Sequence, residues 1–507
     1  MNVAVFSLIA VIGGWYLLRW MRTISTRSSP MPHVEFDGDK SRLRYARESE
    51  KLIARGYRDY LKKGQPFSMR NVVNHRRPLV VLPRKYLDEV RNAPQHEMSF
   101  PRFMENLSIL RDVGGPLITD ELCHATRVDL NRALPHLLKQ MHEDCLAGCR
   151  ELIPECSNWT SMMLYPLLLQ IFNRIGQRVL VGPELGRNED WLDLTQNYTT
   201  SLLQGTNSVR AKYAPALRWM AKYLERDVKV VYKQRQRGAA LLGPVLKARL
   251  AARTEKLADS HDDAIEWLID EYRRTGRKVK AEEIAQDQLG LTMAAIHNTA
   301  ATVLSTLYDL VDHPASLDDI RREARQAMDQ HGGINRAALQ SLHHLDSFMT
   351  ESLRMHAMPE VTVQRLALVP KTFHDGFRIA AGTQVMFANR QLNHDADVYP
   401  DPERFDALRF YDDPEELNNK QHHFASVSDE SINFGGGFHA CPGRFFAQDV
   451  IKLLLASLLV RYEFKYPEKG QKRPADMADN LVVYPNVTVP LLIKELAFGD
   501  ISVSGML

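Results

Sequence analysis

One cysteine in this sequence stands apart from the other four. Cys441 lies in the run Phe434-Gly435-Gly436-Gly437-Phe438-His439-Ala440-Cys441-Pro442-Gly443. Three successive glycines permit tight turns and close approach of backbone to something flat or bulky. A helical pattern over 443–461 follows, so the sulfur sits just ahead of a helix N-terminus, where negative charge and therefore a thiolate is favoured. Backbone N–H groups of the glycine-rich turn can also point at the sulfur. Two further constellations are chemically suggestive. Glu351 and Arg354 are three apart and share a helical face; on an exposed helix they would be an ordinary ion pair. In Ala294-Ala295-Ile296-His297-Asn298-Thr299, Ala294 and Asn298 are four apart, as are Ala295 and Thr299, so small and polar residues share one face. His142, Cys145, Cys149 and Cys156 form a looser cluster whose spacing suits no familiar zinc site and reads as helix packing.

The ten-residue frame around Cys441 resembles the haem loop of the haem-thiolate monooxygenases, the cytochrome P-450 family. That loop reads Phe-x-x-Gly-x-(Arg or His)-x-Cys-x-Gly, and each fixed position is met by Phe434, Gly437, His439, Cys441 and Gly443. The resemblance implies haem b, with iron held axially by the Cys441 thiolate, which favours O–O cleavage. It implies that Phe434 packs beside the haem and that His439, where most members carry Arg, donates to a propionate. Arg365, after Thr362-Val363-Gln364, matches a second propionate contact. Arg127 matches a third, although Cys123 stands where an aromatic residue is expected.

Glu351 and Arg354 would belong to a buried network completed by an arginine ahead of the cysteine. Pro402-Glu403-Arg404-Phe405 spells the family tetrapeptide literally. The longer frame fits Phe405-Asp406-Ala407-Leu408-Arg409-Phe410 after Val398-Tyr399-Pro400, so Arg409 is the expected member, with Ala407 where proline is usual. The family's central helix carries (Ala/Gly)-Gly-x-(Asp/Glu)-Thr-(Thr/Ser). Here His297 replaces the acid and Asn298 the threonine. The histidine is similar to that of fungal membrane members resembling ent-kaurene oxidase. An amide positions water but donates protons poorly, which leaves His297, Thr299 and Thr302 as an alternative relay. Residues 173–182 (Asn173-Arg174-Ile175-Gly176-Gln177-Arg178-Val179-Leu180-Val181-Gly182) and 187–192 resemble a signature of fungal secondary-metabolism members.

Helix-like spacing of apolar residues covers 160–184, 187–204, 208–256, 262–275, 281–313 and 338–357, and strand-like alternation appears at 361–368, 377–388 and 481–493. Residues 393–440 are rich in Asp, Pro, Asn and Gly and read as a long irregular, functional stretch. The expected fold is mainly α with small β sheets, the cytochrome P-450 fold, in one domain over 36–507; the resemblance itself spans about 36–495. A lining for an apolar substrate pocket is expected from 100–118, 200–212, 290–299, 358–364 and 481–486, with Glu360 and Tyr484 as polar candidates.

The 507 residues carry 65 Lys+Arg against 62 Asp+Glu, a net charge of +3, so no basic footprint for nucleic acid exists. Five cysteines cannot make a disulfide scaffold. No charge interrupts 3–18, and residues 1–21 as a helix would be roughly 31 Å long, enough to span a bilayer. Trp15, Tyr16 and Trp20 suit an interfacial belt. Arg19, Arg22 and Arg27 follow the run and no basic residue precedes it, which favours an uncleaved anchor over a signal peptide. The expected plan is therefore a transmembrane anchor at 1–21, a hinge at 22–35 stiffened by Pro30 and Pro32, and a body facing the cytosol from the endoplasmic reticulum membrane.

Neither GxGxxG nor a P-loop is present, so electrons from NADPH must arrive through a separate NADPH–cytochrome P-450 reductase, with cytochrome b5 as an additional donor; Lys420 and Arg444 are candidates for the docking face. The resemblance implies hydroxylation or multi-step oxidation of a lipophilic small molecule, a terpenoid or related fungal secondary metabolite. Asn298 keeps open a haem-thiolate enzyme of rearrangement, dehydration or peroxide-driven type, and a haem-binding sensor is a further alternative. Deleting 1–21 is expected to move most of the protein from the carbonate-resistant membrane fraction to the soluble one while haem binding persists. Loss of haem, or a mature chain beginning after residue 21, would contradict the anchor.

Overall fold

The computed structural model describes residues 28–71, 78–254, 261–411 and 423–496. The expected anchor at 1–21 lies outside them. Among the described residues ten helices have eleven residues or more: α1 (Arg42–Asp59), α2 (Asn131–Leu152), α3 (Leu164–Gly186), α4 (Glu189–Lys212), α5 (Arg226–Thr254), α6 (Ala264–Arg274), α7 (Ala281–Asp312), α8 (Pro314–His331), α9 (His343–Met355) and α10 (Arg444–Arg461). None of the described helices is long and apolar enough to cross a membrane.

Local chemistry explains several boundaries. Asn188 caps α4 by accepting from Trp191 N at 3.0 Å, and Asp263 caps α6 by accepting from Glu266 N at 3.1 Å, each cap stabilising its helix by about 1 kcal/mol. The expected helix 208–256 is broken. Pro215 cannot continue a helix, so α4 ends at Lys212, a 3-10 turn occupies Pro215–Met220, and α5 begins at Arg226. The expected helix 338–357 is split between Arg336–Gln340 and α9. Alternation over 377–388 and 481–493 yields separate strands in different sheets, divided at Gly382 (φ 79°) in the first case.

The largest sheet runs in the order His33–Val34, Phe67–Met69, Leu79–Val81, Gln384–Ala388, Val361–Ala367, Met98–Ser99. His33–Val34 thus joins the sheet although the sequence places it in the hinge. A three-stranded sheet joins Tyr462–Lys465, Leu491–Glu495 and Thr160–Met162, and a hairpin pairs Met477–Asp479 with Val482–Tyr484. The main apolar core lies among the helices, with α7 at its centre against α3, α5, α9 and α10; two smaller clusters lie beside the large sheet.

Helix α10 is clamped to α9 by a buried charge pair. Lys452 Nζ is 2.6 Å from Asp346 Oδ1, and Asp346 Oδ2 accepts from Phe424 N at 3.0 Å, with His423 3.5 Å away. Burial works to raise the Asp346 carboxyl, but the Lys452 charge and the contact with His423 outweigh it and hold the group at about 2. A depressed carboxyl stabilises the fold above the unfolded value of about 3.9, and that contribution is lost only as pH falls toward the folded value. Asp346→Asn strands Lys452 and is expected to cost about 3 kcal/mol in denaturant unfolding. The deficit should be the same at pH 5 and pH 8. A deficit that disappears at pH 5 would show that the pair is not ionised as described.

Candidate active site

The cysteine loop is held shape by shape. Cys441 N donates to Phe434 O at 2.8 Å, Gly435 N to Ile432 O at 2.9 Å, and Ala440 N to Gly437 O at 3.0 Å. Gly437 has φ 64°, and a Cβ there would lie 2.2 Å from Arg91 O, so both backbone and neighbour demand glycine. The Phe434 ring meets Phe424 edge-on at 5.5 Å. Cys441 keeps an accessible face at the start of α10. Burial pushes its thiol up, while Gly443 N–H and the Arg444 charge act the other way. Arg444 is half-buried beside the loop. It donates to Ala425 O at 3.1 Å and Cys441 O at 2.9 Å, bracing the loop; Lys420 lies outside the described residues.

Around this loop Arg365, His439 and Arg127 gather, and among the described residues none of the three has a carboxylate partner. Arg365 is 1% exposed, donates to Gly436 O at 3.3 Å and Gln364 O at 2.9 Å, and leaves Nε without a partner. Burial alone lowers it to about 10. His439 Nε2 is also buried and unpaired, and burial with the charges of Arg365 and Arg127 takes that ring down to about 4. Arg127 donates to Phe438 O at 2.6 Å and stacks 4.0 Å over the Phe438 ring. A buried guanidinium normally has an anionic partner. This set is suited to the carboxylates of an acidic prosthetic group, and with the Cys441 sulfur it fits haem. A β-bulge aims Arg365: Thr362 pairs with Phe387 and Arg365 with Val385, so one extra residue enters the strand, and Val363 adopts φ 48°.

Helix α7 turns its polar residues in different directions. Ala294 and Asn298 occupy an exposed strip on a helix that is otherwise largely core. Thr299 Oγ1 donates to Ala295 O, and Thr302 Oγ1 to Asn298 O at 2.9 Å, so both hydroxyl protons are spent within the helix. His297 faces α3, where its Nδ1 is 3.4 Å from the Tyr165 hydroxyl. The three residues of the expected relay therefore do not converge on one another. Glu360 is 1% exposed and committed to Arg390 at 3.3 Å; burial raises its carboxyl, with Arg390 opposing. Tyr484 is half-buried on its hairpin. Cys145, Cys149 and Cys156 are buried in the apolar core.

Behind the loop, Arg354 forms two bonds with Glu351, Nε to Oε2 at 2.7 Å and Nη2 to Oε1 at 2.8 Å, and also donates to Asn393 O at 2.6 Å and Pro402 O at 2.8 Å. The third member of the network is Arg409, whose Nε is 3.2 Å from Glu351 Oε1 and whose Nη1 donates to Pro400 O at 2.7 Å. Arg404 is exposed and supplies only its carbonyl, 3.1 Å from Arg409 Nη2. A polar trio escaped the sequence reading: the side-chain amides of Asn389 and Asn393 donate to Asn433 Oδ1 at 3.0 and 2.8 Å. The i, i+4 spacing of Asn389 and Asn393 was the available signal, but nothing in it pointed to a partner forty residues on. Arg409→Ala is expected to lower unfolding stability by about 2 kcal/mol, because buried Glu351 loses one charged hydrogen bond while keeping those from Arg354. Arg404→Ala should change it by less than about 0.5 kcal/mol. The reverse order in denaturant titrations would move the network to Arg404.

Residues 155–492 match the cytochrome P-450 family model. Cytochrome P-450 monooxygenase cheE of Chaetomium globosum is 37% identical over 469 residues, covering 92% of this chain and 91% of that protein. The pyrichalasin C-7 hydroxylase of Pyricularia grisea is 35% identical over 461 residues, covering 89% and 90%. Among solved structures, a retinoic acid-bound cyanobacterial CYP120A1 shares the fold, with a TM-score of 0.67, 18% identity, and coverage of 92% of this chain and 100% of the other. These relatives support the fungal secondary-metabolism reading but not the likeness to ent-kaurene oxidase. With the cysteine loop, the unpaired basic cradle and the Glu351–Arg354 network in one fold, the chain belongs to the cytochrome P-450 family.

Proposed function

We propose that this monooxygenase hydroxylates a carbon of a lipophilic secondary metabolite, with electrons from NADPH delivered by a separate reductase. The observation that carries the reading is the Cys441 loop set against Arg365, a buried cation with no carboxylate partner among the described residues. Haem b bound here supplies oxygen activation. Cys441 provides the axial sulfur, and a coordinated metal deprotonates a thiol outright. Gly443 N–H and Arg444 favour that thiolate. Arg365 and Arg127 would neutralise the two propionates, and the neutral ring of His439 would donate a hydrogen bond to one of them. Glu351, Arg354 and Arg409 hold the preceding loop, and Ala294 with Asn298 leaves room on the distal helix.

The substrate class is proposed from the relatives. One of them is named as a hydroxylase at C-7 of pyrichalasin. A panel of pyrichalasin-type compounds and terpenoids would separate that chemistry from the terpenoid expectation. Exposed apolar side chains favour membrane residence on the endoplasmic reticulum, beyond the 1–21 run: Leu217, Trp219, Tyr223 and Leu224 are all exposed on the α4–α5 connection. Phe438, Phe445 and Val128 are exposed near Arg127 and Arg132 and suit a docking face for a reductase or cytochrome b5. Asn298 on the open strip of α7 favours a second reading, a haem-thiolate reaction without monooxygenation; dependence on NADPH and reductase separates the two.

Cys441→Ala is expected to abolish the thiolate-type Soret band of the reduced carbon monoxide complex and all substrate turnover. A mutant that keeps that band would remove Cys441 as the ligand.

A further inference from the structure

The segment 173–192, which the sequence marks by resemblance, builds a polar core that the cysteine loop does not use. Trp191 Nε1 donates to Gln177 Oε1 at 2.7 Å, and Gln177 Nε2 donates to Asn173 Oδ1 and to Thr292 Oγ1, both at 3.0 Å. Gln177 is fully buried, so these bonds tie α3 and α4 firmly to α7. Beside them lies a small cavity of about 10 Å³, near the room one water needs. Asn173, Thr195, Gln196, Thr199, Thr292 and His297 contribute to its wall. Its wall includes Gln196, exposed on α4, and His297 on α7.

His297 is held from its other side by Tyr165, whose hydroxyl is 3.4 Å from Nδ1. Burial pushes Tyr165 up to about 12, so the phenol keeps its proton and can donate it to Nδ1. Burial also lowers the imidazole of His297, and no charged group acts on it. Tyr484 lies within electrostatic reach of Tyr165. With Nδ1 accepting, Nε2 carries the hydrogen of the neutral ring. Asn298 does not relay protons, and Thr299 spends its hydroxyl on Ala295 O.

We infer that Tyr165 is a positioning residue for His297, fixing its tautomer at the inner end of a hydrated inlet between α3, α4 and α7 through which solvent protons reach the distal helix. This rests on the monooxygenase reading. Protons consumed in reducing oxygen must enter the protein, and where supply fails, oxygen leaves as peroxide, using one NADPH and one proton per O2. Full reduction to two waters uses two NADPH and two protons.

The test uses the full-length holoprotein with reductase in lipid vesicles, with NADPH and no added substrate. Wild type, Tyr165→Phe, His297→Gln and the double variant are compared at equal haem content. Tyr165→Phe should raise peroxide formed per NADPH by about twofold, a modest part of a general-acid effect. It should add nothing in the His297→Gln background, as expected for residues acting through one another. The second readout is nitrogen NMR of histidine-labelled protein, with the His297 signal assigned by its loss in His297→Gln. Wild type should show a bare Nδ1, and Tyr165→Phe a mixture of tautomers. Equal effects of Tyr165→Phe in both backgrounds, or an unchanged tautomer, would overturn the proposal. Absence of any NADPH oxidation would count against the monooxygenase reading instead, and the NMR result would still decide the role of Tyr165.

Discussion

The two-pronged ion pair between Arg354 and Glu351 is the interaction on which the cysteine loop depends. Between the short helix Asn389–Asn393 and the start of α10, the described chain has one 3-10 turn and no strand. Such a stretch has no ladder of backbone bonds to fix it. Arg354 supplies bonds to Asn393 O and Pro402 O, and Glu351 accepts from Asp406 N at 2.9 Å and from Arg409. A rigid helix thus presents one cation and one anion as a template for loop backbone. Burying both charges gains little stability in itself; the return is a defined geometry, a cost a protein can bear where a ligand must be held.

The two buried arginines of the site show opposite electrostatics. Arg354 is neutralised on the spot by Glu351. Arg365 is equally buried and has only carbonyl partners. In the bare chain that is an unfavourable arrangement, and an acidic ligand relieves it. The fold and its prosthetic group are thereby coupled: part of the binding energy of the group is the removal of a strain in the protein. His439 contributes to the same imbalance without a permanent charge, since its ring is held neutral by burial and by the neighbouring cations.

The ten-residue frame around Cys441 was legible in the sequence because its requirements are local. Gly437 has to be glycine where φ is positive and Arg91 O presses on it, and a sulfur must follow at a fixed turn. The helices were legible by periodicity, whereas their ends at Pro215 and at residues 341–342 depend on a backbone that periodicity does not register. The choice between Arg404 and Arg409 needed spacing over ten residues, since the shorter match pointed to a side chain that faces solvent. Sequence alignment put His297, Asn298 and Thr299 side by side as one group. Helical geometry sends them to different neighbours, and consecutive residues on a helix do not share a face. The asparagine trio and the Asp346–Lys452 clamp were not legible, because each joins residues far apart in the chain through contacts that carry no local pattern.

The bulge at Val363 has a further meaning for how the site is written in the sequence. Side chains on a strand alternate between two faces, so any position is assigned to the site by counting from the last fixed pair. One added residue between Thr362 and Arg365 changes the parity of that count. In an unbulged strand Gln364 would stand opposite Val385, and the guanidinium would be on the other face of the sheet. The address of Arg365 is therefore kept by an insertion and not by its neighbours' identities, and a homologue that lost the extra residue would need its arginine one position earlier to present the same charge.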